Sequence, residues 1–271
     1  MHSKLMPLSS AVSLIKDSQT LAVGGSSLHR TPAAFCHKLA AMNKTALKIV
    51  SVFPGYAADV LCAADCVDTV YFSFFGFENE FGLAPGFRKG CQEGKIKAIE
   101  GSCISIIAAL RAGASGVPFM PVGGLLKSEL LDMRPDFFQV MTSPFNGEKV
   151  AAVKALVPDW AIIHVQEADE FGNARIIGSG FQDGLLARAA RKTIITAERI
   201  VDNESFRRNP ELTAVPYFLV EAVSLSPQGA KPGICFNEYE IADAGMLKAY
   251  TKAVKEGTLN QYLTGDLEGR G

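Results

Sequence analysis

The chain has 271 residues, with 27 Lys and Arg against 28 Asp and Glu, which gives a formal net charge of −1. This balance disfavours a nucleic-acid-binding protein and a polybasic membrane-surface binder, because both classes carry a basic excess. Hydrophobic residues make up 48% and charged residues 20% of the sequence, which excludes disorder for most of it, and no apolar run approaches the roughly 18 residues that span a bilayer.

The N-terminus and the cysteines indicate the compartment. Residues 1–5 contain one Lys and are not followed by the apolar run of a secretory signal peptide. The six cysteines form no Cys-x-x-Cys pair, and Cys62 and Cys66 lie one helical turn apart, which is poor geometry for a disulfide. These features favour reduced core thiols and a cytoplasmic location. A zinc site on Cys62, Cys66 and a distant histidine is a weaker alternative, because the sequence has no second ligand pair.

Segments typical of strands and of helices alternate along the chain. The predicted elements are a helix over 9–15, a strand over 20–23, a helix over 32–41, a strand over 48–52, a helix over 57–64, a strand over 67–75, a helix over 87–93, a strand over 98–100, a helix over 102–114, a strand over 160–165, a helix over 185–190 and a strand over 192–198. This alternation predicts an α/β fold with an open, mainly parallel sheet flanked by helices. Continuous apolar runs around Ile162 and Ile194 predict strands buried on both faces. We predict a single domain over residues 1–271.

The sharpest local signal is a glycine turn, residues 24–31, between the first predicted strand and the next helix. Gly24 and Gly25 allow positive φ and a close approach of ligand to backbone. The helix that begins near Pro32 predicts free N–H groups and a positive dipole end at this turn, which suits a phosphate or a carboxylate. The Gly-x-Gly-x-x-Gly fingerprint and the P-loop lysine are both absent. A tight strand-to-helix turn without a ligand is the alternative.

The segment over residues 17–32 resembles the signature of the alpha subunit of family I coenzyme A transferases. The matching residues are Asp17, Leu21, Ala22, Val23, Gly24, Gly25 and Pro32. Ser18, Ser26 and Arg30 depart from the signature, and the loss of its Phe and third Gly indicates the glutaconate-transferase-like branch rather than the short-chain 3-oxoacid branch. Four further segments, over residues 81–88, 110–121, 158–173 and 197–201, are similar to stretches of glutaconate-type alpha subunits.

The resemblance implies the CoA-transferase (NagB/RpiA/CoA transferase-like) fold and half of an enzyme. In this family a beta-subunit glutamate, in a Ser-Glu-Asn-Gly motif, attacks an acyl-CoA thioester and forms a glutamyl-CoA intermediate that passes CoA to an incoming carboxylic acid. That motif is absent here, because Phe77-Glu78-Asn79-Glu80 lacks both the Ser and the Gly. The implied protein is therefore an alpha subunit that is active only with a beta subunit, as a heterodimer or higher heteromer. Its substrates are a CoA thioester and a carboxylic acid, with no permanently bound cofactor and no metal.

The candidate site residues lie at predicted strand ends, where open α/β sheets bind ligands. For binding of substrate or CoA the candidates are Gly24, Gly25, Ser26, Arg30, Ser73, Phe74 and Gly76. Arg30 suits bidentate contact with a phosphate or carboxylate, with a solvated surface side chain as the alternative. His164 lies in an apolar strand and is expected to be a core residue with its hydrogen bonds satisfied.

Glu100 is the candidate catalytic residue of this chain, since it ends a predicted strand just before Gly101. The alpha subunits of steroid-ring-cleaving hydrolases resemble this fold and use a glutamate in a comparable stretch as a base. The alternative is an acid favoured by the dipole of the next helix.

Two other functions stay open at this point. The first is a CoA-thioester-dependent carbon–carbon hydrolase with Glu100 as its base. The second is a non-catalytic ligand-sensing domain, since sugar-phosphate-sensing regulators share related folds, although the sequence shows no helix-turn-helix segment. Neither nucleic acid nor a membrane is expected as a partner.

Overall fold

The computed structural model describes residues 2–269, with side chains described through residue 265. The strands are β1 (Thr20–Val23), β2 (Leu47–Val50), β3 (Val67–Phe72), β4 (Lys97–Glu100), β5 (Phe119–Val122), β6 (Phe138–Thr142), β7 (Lys149–Lys154), β8 (Trp160–Ala168), β9 (Ala174–Arg175), β10 (Lys192–Ile200), β11 (Thr213–Val215) and β12 (Val220–Leu225). The α-helices are α1 (Leu8–Ser13), α2 (Ala33–Ala40), α3 (Tyr56–Ala63), α4 (Glu78–Phe81), α5 (Pro85–Gln92), α6 (Cys103–Ala114), α7 (Leu130–Met133), α8 (Asp183–Ala189), α9 (Asn203–Arg208), α10 (Ala244–Glu256) and α11 (Leu259–Gly269).

The main sheet, within residues 2–269, has nine strands. Seven of them run parallel in the order β4-β3-β2-β1-β8-β10-β12. Strand β9 pairs antiparallel with the end of β8, and β11 pairs antiparallel with β9. The prediction of an open, mainly parallel sheet is confirmed. Strands β8 and β10 are buried along most of their length, as their continuous apolar sequences predict.

Helices cover both faces of this sheet. Helices α1, α2, α3, α5, α10 and α11 enclose one core around Phe35, Tyr56 and Tyr250, where the last two rings pack edge to face with centroids 4.9 Å apart. Helices α6 and α8 cover the other face, where the core includes Ile106, Ile163 and Leu186. Within the described chain, none of the helices is both long and apolar enough to cross a membrane.

A second, three-stranded antiparallel sheet, in the order β5-β7-β6, packs on α6. Val122, Ala151 and Val153 face the core, whereas Phe119 is 42% exposed. This sheet is not predicted from the sequence, because its strands are short and show neither a regular alternation of buried and exposed residues nor a long apolar run. The strands and helices after residue 201 are also absent from the prediction.

The parallel arrangement brings the carboxyl ends of the main strands to one edge, which we call the carboxyl edge. The glycine turn follows β1 there, and residues 73–77, the β3 loop, follow β3. Gly101 and Ser102 connect β4 to α6 at the same edge. The residues singled out from the sequence therefore lie on the side of the sheet where ligands bind in such folds.

Candidate active site

The glycine turn closes on itself directly after β1. Gly25 has a φ of +76°, and a Cβ atom there would collide with the carbonyl oxygens of His29 and Arg30. The backbones of Ser26 and His29 exchange two hydrogen bonds, of 2.9 and 2.7 Å. Ser26 is half-buried, and Ser27 and Arg30 adopt left-handed backbone conformations. Glycine is therefore required at position 25 by the turn's own backbone.

Backbone N–H groups around the turn donate to protein acceptors. The Gly25 N–H donates to Asp183 Oδ1 at 2.8 Å. At the start of α2, the Ala34 N–H donates to the carbonyl oxygen of Gly229 at 2.9 Å. The prediction that turn and helix start offer free N–H groups to an anion is wrong at these two positions, because α8 and the loop after β12 already supply the acceptors. Direct contact of Gly24 or Gly25 with a substrate stays a prediction.

Arg30 is a buried residue of the turn, only 3% exposed. Its guanidinium donates to Asp183 Oδ2, to the carbonyl oxygen of His164 at 2.7 Å and to that of Ser179 at 3.2 Å. Asp183 is fully buried at the start of α8. Arg30 is thus neither a solvated surface residue nor a free cation, and the buried ion pair positions the turn. Asp183 is not predictable from local sequence as the partner of Arg30, because 153 positions separate the two residues.

The β3 loop meets the glycine turn at the carboxyl edge. The Ser27 hydroxyl donates to the carbonyl oxygen of Gly76 at 2.8 Å. The Ser73 hydroxyl donates to the carbonyl oxygen of Val52 at 2.7 Å, and the Phe74 ring is 48% exposed. Gly76 leaves room for this ring, since a Cβ there would lie 2.9 Å from Phe74 Cζ. The two loops with the predicted binding residues therefore adjoin each other.

Glu100 ends the edge strand β4 and is exposed. Within the described part of the chain, its carboxylate makes no hydrogen bond or ion pair. Ser102, not Glu100, caps α6, because its hydroxyl accepts the Ser105 N–H at 3.2 Å. The Cys103 thiol, at the first position of α6, is exposed and lies 3.4 Å from the Ser73 hydroxyl. Polar groups of β4, α6 and the β3 loop are thus neighbours at this edge.

The six cysteines are free thiols with different environments. The four buried ones are Cys36, Cys62, Cys66 and Cys235, as expected for core thiols. Burial raises the pKa of Cys66 to about 11, so this thiol stays protonated at neutral pH. The expectation of core thiols is wrong for Cys103, which is exposed, whereas Cys91 is half-buried.

A buried polar network lies behind the glycine turn. His164 Nδ1 is 2.9 Å from Thr196 Oγ1, and His164 Nε2 is 2.8 Å from Glu198 Oε1. The Glu198 carboxylate also accepts the Tyr239 hydroxyl and the Gln228 N–H, both at 2.6 Å. Burial alone raises the pKa of Glu198, but the bonds from His164, Tyr239 and the Gln228 N–H hold this pKa below its ordinary value. His164 is therefore a core residue with both nitrogens bonded, as predicted.

The same network contains a set of atoms that suits a metal ion in type. One nitrogen of His164, one oxygen of Glu198 and the Cys235 sulfur all lie within 4.8 Å of one another. Hydrogen bonds already engage Glu198 Oε1, however, and burial raises the pKa of Cys235 to about 12, which keeps this thiol protonated. We interpret the group as a hydrogen-bonded support for the loop after β12.

A cavity of about 320 Å³ adjoins the glycine turn. It is lined by His29, Arg30, Ile177, Gly178, Ser179, Phe181, Ile234 and Phe236. Apolar walls with a few polar groups are typical of small-molecule sites. This cavity has no signature in the sequence, because its walls come from three loops that are distant from one another along the chain.

Comparison with known proteins identifies the family. Residues 5–226 match the family described as coenzyme A transferase. The chain belongs to this family. The resemblance stated from the sequence is thereby confirmed.

Three relatives are similar over most of this coenzyme A transferase chain. An uncharacterized protein of Archaeoglobus fulgidus is 34% identical over 94% of this chain, which spans only 58% of that relative. The A subunit of glutaconate CoA-transferase from Acidaminococcus fermentans is 32% identical, over 93% of this chain and 84% of its own. The A subunit of 3-oxoadipate CoA-transferase from Pseudomonas knackmussii is 31% identical, over 88% of this chain and 84% of its own.

Two solved structures share the architecture. The crystal structure of glutaconate CoA-transferase from Acidaminococcus fermentans matches with a TM-score of 0.90 and 31% identity, over 97% of this chain and 88% of that chain. The decarboxylase AibA/AibB matches with a TM-score of 0.88 and 28% identity, over 98% of this chain and 100% of that chain. The predicted CoA-transferase fold is confirmed.

The comparisons also rank the alternatives. A cholesterol ring-cleaving hydrolase subunit of Rhodococcus jostii is 28% identical, over 84% of this chain and 81% of its own. The two transferase subunits are more similar, at 32% and 31%, so the transferase interpretation is favoured over the hydrolase. The ligand-sensing alternative loses support, because the named relatives are enzymes or their subunits.

Proposed function

We propose that this chain is an alpha subunit that transfers CoA between an acyl-CoA and a carboxylic acid, together with a beta subunit. The observation that carries the proposal is the junction of the glycine turn with the β3 loop at the carboxyl edge of a coenzyme A transferase fold. This edge presents Ser73, Phe74 and Glu100, whereas the sequence has no Ser-Glu-Asn-Gly motif. The nucleophile is therefore proposed to come from the partner chain.

The proposed reaction consists of covalent exchanges on a partner glutamate. The carboxylate attacks the thioester carbonyl, the CoA thiolate leaves, and an acyl-glutamyl anhydride forms. The thiolate then attacks the glutamyl carbonyl, which releases the acyl group as a carboxylate and leaves a glutamyl-CoA thioester. The incoming acid reverses both steps, so the exchange needs no oxidant, reductant or net proton.

The chain's own residues are proposed to orient the substrates and to complete the site at an interface between the two chains. Phe74 is 48% exposed and Ile104 is 66% exposed, both beside the carboxyl edge. Exposed apolar groups of this kind are typical of surfaces that a protein partner covers. The names of two relatives, each the A subunit of a CoA-transferase, support such a partner. We propose a heterodimer or a higher heteromer.

The chemistry determines which cofactors are needed. The CoA thioester is proposed to be a substrate, and the glutamate nucleophile with hydrogen-bond donors suffices for the exchange without a permanently bound cofactor. The free thiols are typical of a reducing compartment, and we propose a cytoplasmic location.

A second candidate function is the hydrolysis of a carbon–carbon bond in a CoA thioester. It is favoured by one observation, the exposed Glu100 carboxylate, which has no partner in the described part of the chain. In this reaction Glu100 would accept a proton from the attacking water as a general base. The partner chain would then lack the nucleophilic glutamate.

The proposed function is tested by purifying the chain alone and as a complex with its proposed beta chain. CoA exchange between an acyl-CoA and a free acid is followed by mass spectrometry. We expect exchange by the complex and none by the chain alone. Robust exchange by the single chain, or water as the only acceptor used by the complex, would contradict the proposal.

A further inference from the structure

We propose that the cavity beside the glycine turn is an acyl pocket for the hydrocarbon part of a monocarboxylic acyl group. We propose also that Phe236 and Ser179 set the chain length that it accepts. This inference rests on the proposed CoA transfer and extends it to the class of substrate. The pocket lies between the glycine turn and the loops over residues 177–181 and 234–236.

The acyl pocket adjoins the candidate active site. His29 lines the pocket, and its Nε2 atom is also 4.0 Å from Glu78 Oε1, directly beyond the β3 loop. Arg30, on the same turn, forms the inner wall and is buried. An acyl group in the pocket would therefore extend towards the carboxyl edge, where the thioester has to meet the partner's nucleophile.

The charges around the pocket favour an uncharged acyl chain. The positive charge of Arg30 is offset by Asp183, and its remaining bonds reach the carbonyl oxygens of His164 and Ser179. The other ionisable side chain of the lining, His29, has the Glu78 carboxylate beside it. A second carboxylate on the substrate would lie among apolar walls without a free counter-ion, which is unfavourable to the extent that the pocket removes it from water. Dicarboxylic acyl groups are thus disfavoured.

The apolar walls are exposed where a ligand would cover them. Phe181 and Phe236 are 39% and 56% exposed, and both line the pocket. Gly178 lets the Phe236 side chain lie close to the loop after β9, since a Cβ at Gly178 would be 3.0 Å from Phe236 Cδ1. Hydrocarbon placed between these rings would be removed from water, which is the main source of affinity for such chains.

The walls are also fixed in position, which allows discrimination by length. The buried Gln166 side chain donates to the carbonyl oxygens of Ile177 and Phe236, at 3.0 and 2.9 Å. It accepts the Ile177 N–H at 3.1 Å. Ile234 pairs with the glycine turn, because its N–H donates to Leu28 O and its carbonyl oxygen accepts the Arg30 N–H, both at 2.7 Å. In a fixed apolar pocket, one methylene changes kcat/KM by roughly tenfold or more.

The test uses the complex with its beta chain and two variants with opposite effects. Phe236→Ala enlarges the pocket. Ser179 is exposed at the pocket, so Ser179→Leu can place a larger side chain there, and the hydrogen bond from Arg30 to the backbone carbonyl of residue 179 is retained. Phe218→Ala is the control, since Phe218 is 70% exposed and does not line the pocket. The donors are acetyl-, butanoyl-, hexanoyl-, octanoyl- and glutaryl-CoA, and kcat/KM is measured for each.

We expect the wild-type complex to use a straight-chain donor at least about tenfold better than glutaryl-CoA. Phe236→Ala should move the optimum to a longer chain and Ser179→Leu to a shorter one, by about tenfold in relative kcat/KM, with Phe218→Ala unchanged. The acyl pocket would be overturned if both pocket variants kept the wild-type order of kcat/KM among the donors, or if glutaryl-CoA were the best donor. It would also be overturned if Phe236→Ala lost the beta chain on gel filtration. Absence of exchange with every donor would instead overturn the proposed function itself.

Discussion

The Ser27 hydroxyl donates to the carbonyl oxygen of Gly76 at 2.8 Å, and this bond joins the glycine turn after β1 to the β3 loop. Strand β2 lies between these two strands in the sheet, so the bond passes over the end of β2. Gly55, at the start of α3, permits this arrangement, because a Cβ there would collide with the Ser27 backbone. The two loops therefore form one rigid edge, and a substitution in either loop should also alter the position of the other.

The first prediction concerns the close backbone approach at Gly25. Gly25→Ala should lower the free energy of unfolding by more than the roughly 1–2 kcal/mol of a left-handed backbone alone, because the new Cβ collides with His29 and Arg30. Gly94→Ala is a matched control, with a φ of +71° and open space around its Cβ. Urea unfolding measures both costs. Equal costs in the two variants would show that the approach at Gly25 is unimportant.

The second prediction concerns the buried ion pair. Asp183→Asn leaves the Arg30 guanidinium buried without its counter-charge, and we expect a loss of about 3–5 kcal/mol in stability. Glu221→Gln breaks the exposed pair with Lys192, whose side chains are about half exposed, and should cost about 0–1 kcal/mol. Thermal and urea unfolding compare the two variants. A cost below about 1 kcal/mol for Asp183→Asn would contradict a positioning role for the pair.

The third prediction is a dependence of stability on pH that arises from Glu198. Hydrogen bonds lower the pKa of this carboxyl below its ordinary value of 4.5 in the folded state, so its ionised form stabilises the fold. This stabilisation is complete when the pH is above the ordinary pKa of the carboxyl, and it is lost as the pH falls through the lower pKa of the folded state.

Glu198→Gln is the variant that isolates this effect. The difference in unfolding free energy between wild type and Glu198→Gln should be largest near neutral pH and should shrink as the pH falls below about 4.5. Tyr239→Phe removes only one donor to the carboxylate and should show a smaller pH dependence of the same sign. A difference that is constant from neutral to acidic pH would show that the carboxyl is not stabilised in its ionised form.

The fourth prediction separates two chemistries at Glu100. Because Ser102 caps α6, Glu100→Gln should change stability by less than about 0.5 kcal/mol. In a transferase the variant should keep its exchange rate when assembled with the beta chain. In a hydrolase the loss of the general base should slow turnover by about 10²–10⁴-fold. Such a loss, with no covalent adduct on either chain, would favour the hydrolase.

Local patterns predicted the architecture of the central sheet. The apolar runs around Ile162 and Ile194 are short-range signals, and they form the neighbouring parallel strands β8 and β10. The strand-to-helix position of the glycine turn is also a local feature, since the glycines and Pro32 lie within a few residues of one another. The short strands of the second sheet carry no comparable pattern, because each is only half-buried.

The role of the turn depends on partners that are far away in sequence. Asp183 accepts the Gly25 N–H from 158 positions away. Glu198 supports the loop after β12 through Tyr239, which lies 41 positions further along the chain. No local pattern indicates such pairings, so a ligand cradle and a self-contained turn look alike in sequence. The fold supplies acceptors for the Gly25 and Ala34 N–H groups from distant parts of the chain, and contact of the turn with a substrate stays a prediction.

The most direct test of CoA transfer with a partner nucleophile is the location of the covalent intermediate. The complex is incubated with an acyl-CoA, trapped with borohydride or hydroxylamine, and both chains are mapped by mass spectrometry. We expect one modified glutamate, on the beta chain, and none on this chain, at Glu78 or Glu100 included. A trapped adduct on a glutamate of this chain would contradict the proposed division of roles, as would full exchange without an adduct on either chain.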